Sequence, residues 1–150
     1  MKLICEKDKI LKALNSVTKA VAVRTTMPIL EGILIQTNDN EIKLTTYDLE
    51  IGIETYAQAE IAEEGSIVIN ARLFGDIIRK LPDSFVEIET DDENNVYINC
   101  LNSKFKIKGD SAKEYPQIPD VNEDKLYSIP QDVLKSMIKQ TVFATSQDQT

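Results

Sequence analysis

Histidine and tryptophan are absent from this chain of 150 residues, and glycine and proline number only five each. Each shortage removes a class of chemistry. Without histidine the chain lacks the usual general base, the usual activator of a nucleophile and the commonest metal ligand. Its glycines stand singly, so there is no Gly-rich phosphate loop, and no GxSxG is present. Cys5 and Cys100 have no CxxC spacing and both fall in strand-like apolar runs, which argues against zinc and for a reducing compartment. No apolar run approaches the ~20 residues that span a bilayer. The opening Met1-Lys2-Leu3-Ile4-Cys5-Glu6 turns charged too soon for a signal peptide. A cytoplasmic protein is therefore expected, with no metal and no cofactor.

What is present is an uneven distribution of charge. The net charge is −8, which taken alone disfavours nucleic acid. Residues 1–24, however, hold six basic and two acidic side chains, whereas 25–70 hold one basic and nine acidic ones. Residues 102–108 add three lysines and no acid. With a screening length of about 8 Å at physiological salt, a locally basic face can attract phosphate on an acidic molecule.

Periodicity places these charges on elements. Residues 2–6 read as a strand and 8–21 as a helix, with Ile10, Leu11, Leu14, Val17 and Val21 on one side and Lys9, Lys12, Ser16 and Lys19 on the other. Pro28 disfavours a helical Met27, so Arg24 sits on a loop beyond the helix C-terminus, where a cation suits the helix dipole. Strands are expected over 32–37, 41–47 and 50–60, with a hairpin turn at Asn38-Asp39-Asn40 and a break at 62–65. The order then repeats: strand 66–70, helix 71–81 stopped by Pro82, and strands 85–90, 96–101 and 104–108. In the second helix Arg72, Asp76 and Arg79 lie opposite Leu73, Phe74, Ile77, Ile78 and Leu81. The acids of the 91–95 loop lack calcium-loop spacing and read as a solvated hairpin tip. Both helices are expected on one side of one sheet. Tyr115-Pro116-Gln117-Ile118-Pro119 opens a linker over 115–125, after a first domain at 1–114. Strand-like 127–130 and a helix over 131–144, with Lys135 and Lys139 on its polar side, then restart the pattern. At an offset of 123, Ile10-Leu11-Lys12-Ala13-Leu14 lies over Val133-Leu134-Lys135-Ser136-Met137, so 126–150 reads as the start of a duplicated second domain.

Arg24-Thr25-Thr26-Met27-Pro28-Ile29-Leu30, Thr46-Tyr47-Asp48-Leu49-Glu50, Asn70-Ala71-Arg72-Leu73-Phe74 and Leu81-Pro82, followed by Tyr115-Pro116, occur in an order that resembles the beta subunit of bacterial DNA polymerase III, the sliding-clamp family. The resemblance runs through the whole chain. It implies an α+β DNA-clamp fold and a ring of two head-to-tail chains of three domains each. Helices would line the hole around duplex DNA, with sheets outside. The ring would act as a homodimeric processivity factor in DNA replication. It would be opened by a clamp loader and would tether the replicative polymerase, with no catalytic site of its own. The resemblance implies DNA contacts at Arg24 and Arg72; helical geometry alone adds Lys9, Lys12, Lys19, Arg79, Lys135 and Lys139. It further implies a subunit joint on the last strand of the first domain, where alternation sets Phe105 and Ile107 on one face and Lys104, Lys106 and Lys108 on the other. Leu73 stands where some members carry a basic residue facing the partner. The peptide groove for polymerases belongs to later domains.

Two other readings remain open from the residues alone. One is a non-catalytic α+β interaction module that uses its sheet edge and never meets DNA. The other is an enzyme with carboxylates at Asp48 and Glu50, against which stands the habit of a turn aspartate to cap backbone N–H groups.

Overall fold

The computed structural model describes residues 1–22, 25–119 and 127–146. The chain divides into two compact units, Met1–Ile118 and Pro119–Thr150. The first unit therefore includes Tyr115 to Ile118, which the sequence reading gave to a linker beginning at 115. Tyr115 is a buried side chain, which is why the boundary falls later.

In the first unit, strand β1 (Lys2–Glu6) runs into helix α1 (Lys7–Val17), followed by a 3-10 turn, Thr18–Ala20. The helix ends earlier than the expected 21 because Thr46, fully buried, donates its hydroxyl to the Val17 carbonyl at 2.6 Å. That bond satisfies one of the carbonyls a helix end leaves open. A second 3-10 turn, Pro28–Glu31, leads into β2 (Gly32–Asn38), β3 (Glu41–Tyr47) and β4 (Gly52–Gln58). Next come β5 (Glu60–Glu63), β6 (Ser66–Asn70), α2 (Ala71–Lys80), β7 (Phe85–Thr90), β8 (Asn95–Cys100) and β9 (Ser103–Lys108). The single strand expected over 50–60 is in fact two. Ala59 leaves the ladder, its N–H bonding Asn40 O at 3.0 Å, and the chain crosses from one sheet to the other.

Among the described residues the strands form two antiparallel sheets, so the two helices do not share the one sheet expected beneath them. The strand orders are β5-β1-β7-β8-β9 and β4-β3-β2-β6. Each half of the internal repeat lends its first strand to the other half's sheet: β1 pairs β7, and β6 pairs β2. The halves therefore close on one core. Leu3, Ile88 and Ile98 from one sheet meet Ile33, Ile35 and Leu44 from the other, with Ile10 and Leu14 of α1 and Phe74 and Ile78 of α2. Each such side chain contributes roughly 1.5–3 kcal/mol when fully buried.

In the second unit, helix α3 (Gln131–Thr141) is followed by a 3-10 turn, Val142–Ala144, and residues 127–130 form no ladder. No residue of α3 is buried. Its apolar side chains Val133, Leu134, Met137 and Ile138 remain exposed. Among the described residues no helix is long and apolar enough to cross a membrane.

Candidate nucleic-acid interface

The cations named from the sequence are placed by the two helices of the first unit, which pack against each other. On α1, Lys12 is exposed and pairs with Asp8 one turn earlier at 2.6 Å, while Lys9 pairs with Glu6 at 3.1 Å. Asp8 beside it holds the Lys12 ammonium above the usual lysine range. Lys9, Lys12 and Ser16 share a shallow cleft of about 300 Å³ with Tyr56 and Gln58 of β4. β4 thus walls the Lys9, Lys12 and Ser16 part of the stripe on one side. Lys19 is exposed in the 3-10 turn after α1. Arg24 lies outside the described residues.

On α2, Arg72 and Arg79 are exposed, and Arg79 pairs with Asp76 at 2.8 Å. Asp76 is held below the usual carboxylate range, chiefly by the Arg79 hydrogen bond and further by the charges of Arg79, Arg72 and Lys80. Lys80 belongs to this cluster and was missed in the sequence. The signal was there: Arg72, Asp76 and Lys80 are spaced four apart and share one helix face. The helix is well capped at both ends. Asn70 caps it by accepting the Leu73 N–H at 3.0 Å, and Arg79 and Lys80 fill its last turn, where cations suit the dipole.

Exposed pairs of this kind are worth roughly 0–1 kcal/mol in water. Breaking such a pair therefore costs little. Lys135 and Lys139 are exposed on α3, in the second unit.

The residues named for a joint lie on β9 and α2. β9 ends its sheet, with β8 on one side and an open edge on the other. Phe105 opposes Ile98 and Ile107 opposes Val96 across the ladder. Both opposing residues are fully buried, so Phe105 and Ile107 extend the core face. Ile107 packs against the core, while Phe105 remains 39% exposed. Lys104 is exposed on the opposite face, and Leu73 is 45% exposed on α2.

Other groups that could carry chemistry are engaged structurally among the described residues. Asp48 accepts the N–H groups of Glu50 and Ile51 at 2.9 and 2.6 Å, and these bonds hold it below its ordinary range. It is a turn cap. Burial pushes the Cys5 thiol up to about 11, which keeps it from being a ready nucleophile. Among the described residues no three His, Cys, Asp or Glu side chains gather as metal ligands.

The family description "DNA polymerase III beta subunit, N-terminal domain" matches residues 1–119. The chain belongs to this family. The curated beta sliding clamp of Bacillus subtilis (strain 168) is 39% identical over 158 residues, covering 100% of this chain and 42% of the relative. The solved DNA polymerase sliding clamp from Bacillus subtilis matches at 39% identity with a TM-score of 0.93, covering 100% of this chain and 42% of that one. A chain assigned as a DNA polymerase III beta subunit from Eubacterium rectale is 46% identical with a TM-score of 0.92, covering 99% of this chain and 40% of that one. This chain thus spans about 42% of the length of the curated relatives it matches. Its fold is the sliding-clamp fold, helices with antiparallel sheets.

Proposed function

We propose that this chain forms the first unit, and the opening of a second, of a replicative DNA sliding clamp. The whole protein would be a ring-shaped homodimer around duplex DNA that tethers the polymerase, is opened by a clamp loader, works in the bacterial cytoplasm and has no catalytic site of its own. One observation carries the reading beyond family membership: exposed cations gather on the adjoining helices α1 and α2 of a molecule whose net charge is −8. Lys9, Lys12, Lys19, Arg72, Arg79 and the nearby Lys80 would meet phosphates, with Arg24 at the loop between α1 and β2. Lys135 and Lys139 would do the same in the second unit. Phosphate contacts carry no sequence information and so permit sliding. Persistence then comes from closure of the ring, not from affinity.

The joint would form on the open edge of β9, with Phe105 and Leu73 toward a partner chain, Ile107 backing Phe105 from the core and Lys104 at the rim on the other face. The exposed apolar face of α3 would be covered by strands of its own domain, as α1 covers β4 in the first unit.

The test is a salt titration of duplex DNA with a protein of the relatives' full length carrying Arg72→Glu and Lys19→Glu. Each lost phosphate contact should make the slope of log K on log salt shallower by about 0.9. Binding should weaken with the fold intact. An unchanged slope with unchanged loading would remove these helices from DNA and favour an interaction module that works through its sheet edge.

A further inference from the structure

After β9 the chain does not leave the first unit freely. Gly109 approaches β6 so closely that a Cβ there would stand 2.8 Å from Val68 O. Asp110 then exchanges both backbone hydrogen bonds with Val68, at 2.9 and 3.0 Å. Farther on, Tyr115 is 5% exposed and packs with Leu30 and Val68 in a small core of its own, against Ala22, Ile29 and Tyr47. Its hydroxyl accepts the Tyr47 N–H at 3.1 Å and donates to Gly32 O at 3.4 Å. Burial pushes the phenol's pKa up, so it stays a donor. At the end of the segment Ile118 lies over Gly52, where a Cβ would meet Ile118 Cδ1 at 2.6 Å.

The other side of this small core is the loop from Val21 into β2. Its base is closed by Ala22 N–H to Leu30 O at 3.3 Å, and Leu30 N–H bonds Met27 O at 3.0 Å. One buried side chain of the segment that leaves the unit therefore touches the loop after α1 and the backbone at the start of β2 and the end of β3.

We propose that Tyr115 is a positioning residue that couples the exit segment 109–118 to the loop after α1, so that displacement of either is felt by the other. The coupling belongs to the first unit alone. Its use, setting the loop against DNA according to how the next domain pulls on the exit segment, rests on the clamp reading.

Amide hydrogen exchange on the 150-residue chain tests it. Tyr115→Phe keeps the ring and removes the hydroxyl. The Tyr47 amide should exchange about fivefold faster, the ratio corresponding to one hydrogen bond of about 1 kcal/mol. The Ala22 and Leu30 amides, which do not touch the hydroxyl, should also quicken, by about threefold. Gly52→Val pushes on Ile118 from the far end and should quicken the same two loop amides. Leu81 and Thr90, bonded elsewhere to Ile77 O and Met1 O, should not change in either variant. Loop amides unmoved by both variants would overturn the coupling. So would an equal rise at Leu81 and Thr90, which is general loosening. These results need no DNA and stand whether or not the salt titration supports a clamp. In a protein of the relatives' full length, Tyr115→Phe should shorten the lifetime on circular duplex DNA two- to threefold. An unchanged lifetime with the exchange coupling present would overturn the use but not the coupling.

Discussion

The two halves of the first unit, β1-α1-β2-β3-β4 and β6-α2-β7-β8-β9, repeat one another down to their turns. Both first hairpins carry a left-handed residue, Asp39 and Asn94, and both second hairpins carry a left-handed leucine, Leu49 and Leu101. Even β5, which follows β4 and pairs β1, has a remnant counterpart in the Asp110 bridge to Val68 that follows β9. They part in two places. The first half joins helix to sheet by a long loop over 18–31, the second by the tight turn at 81–84. That turn is locked by Lys7, whose ammonium donates to Leu81 O at 2.6 Å and to Asp83 at 2.8 Å. And α1 packs along β4, whereas α2 packs chiefly on α1 and β6, leaving Phe105 of β9 and its own Leu73 exposed. A duplicated fold has been kept closed in one half and left open in the other, at the places where a loop and a sheet edge have surfaces to offer.

The sharpest way to break this comparison is to put a carboxylate on each last strand. Ala57 of β4 is 8% exposed beneath α1. Ala57→Asp should cost folding on the order of 3–5 kcal/mol, because a buried charge without a partner is left behind. Phe105→Asp on β9 should leave the isolated unit folded. In the full-length protein it should loosen the dimer by two powers of ten or more, about 3 kcal/mol at roughly 1.4 kcal/mol per decade. Thermal melts and sedimentation at nanomolar concentration separate the two costs. A Phe105→Asp protein that melts as badly as Ala57→Asp would mean that β9 is sealed into its own core.

The helix starts differ by less. Asn70 caps α2 through its side chain, while Glu6 before α1 makes no such bond. Asn70→Ala should therefore destabilise by about 1 kcal/mol, and Glu6→Ala by well under half of that. Denaturant midpoints for the pair decide it, and equal shifts would erase the asymmetry.

How much of this was legible beforehand follows from what periodicity carries. The stripes of α1 and α2 and the alternation of β9 were readable because each is a local pattern. The exchange of β1 and β6 between sheets was not, because strand pairing is long-range and both arrangements present the same alternation. The split at Ala59 was hidden for a related reason: β4 and β5 read as one run, and only the bond to Asn40 O marks the crossing. The α1 end at Val17 depended on Thr46, far along the chain. Of the candidate site, the cations of α1 and α2 were visible as helix stripes, but the pairing of Lys9 with Glu6, Lys12 with Asp8 and Arg79 with Asp76 depends on side-chain conformation, which a stripe does not carry. Tyr115 looked like linker because Pro116 and Pro119 follow it, and its burial is a tertiary fact.

The leucines at the second hairpins offer a smaller effect that should be alike in both halves. A non-glycine residue in the left-handed region costs roughly 1–2 kcal/mol, and asparagine bears it better. Leu101 is 69% and Leu49 53% exposed, so little burial is lost on replacement. Leu101→Asn and Leu49→Asn should each stabilise the unit by about 0.5–1 kcal/mol. A loss at Leu49 alone would place an apolar contact there that Leu101 lacks.

The smallest effect concerns the first hairpin of the second half. Asp91 accepts the N–H groups of Glu93 and Asn95, each at 2.9 Å, as well as the Asn95 side-chain amide at 2.8 Å and the Tyr97 hydroxyl at 3.2 Å. The Asn95 side chain first, then its backbone N–H, hold the carboxyl well below its ordinary range, at about 2. A depressed folded-state pKa means that the unfolded chain binds the proton more readily. The contribution to stability is then complete above the unfolded value of about 3.9 and fades as pH falls toward about 2. The carboxylate is fully exposed, so salt should shrink the effect further. Asp91→Asn should flatten the stability profile between about pH 4 and pH 2. Urea midpoints across the window at low salt are the measurement. A slope that persists without Asp91 would assign the acid sensitivity to other carboxylates of the unit.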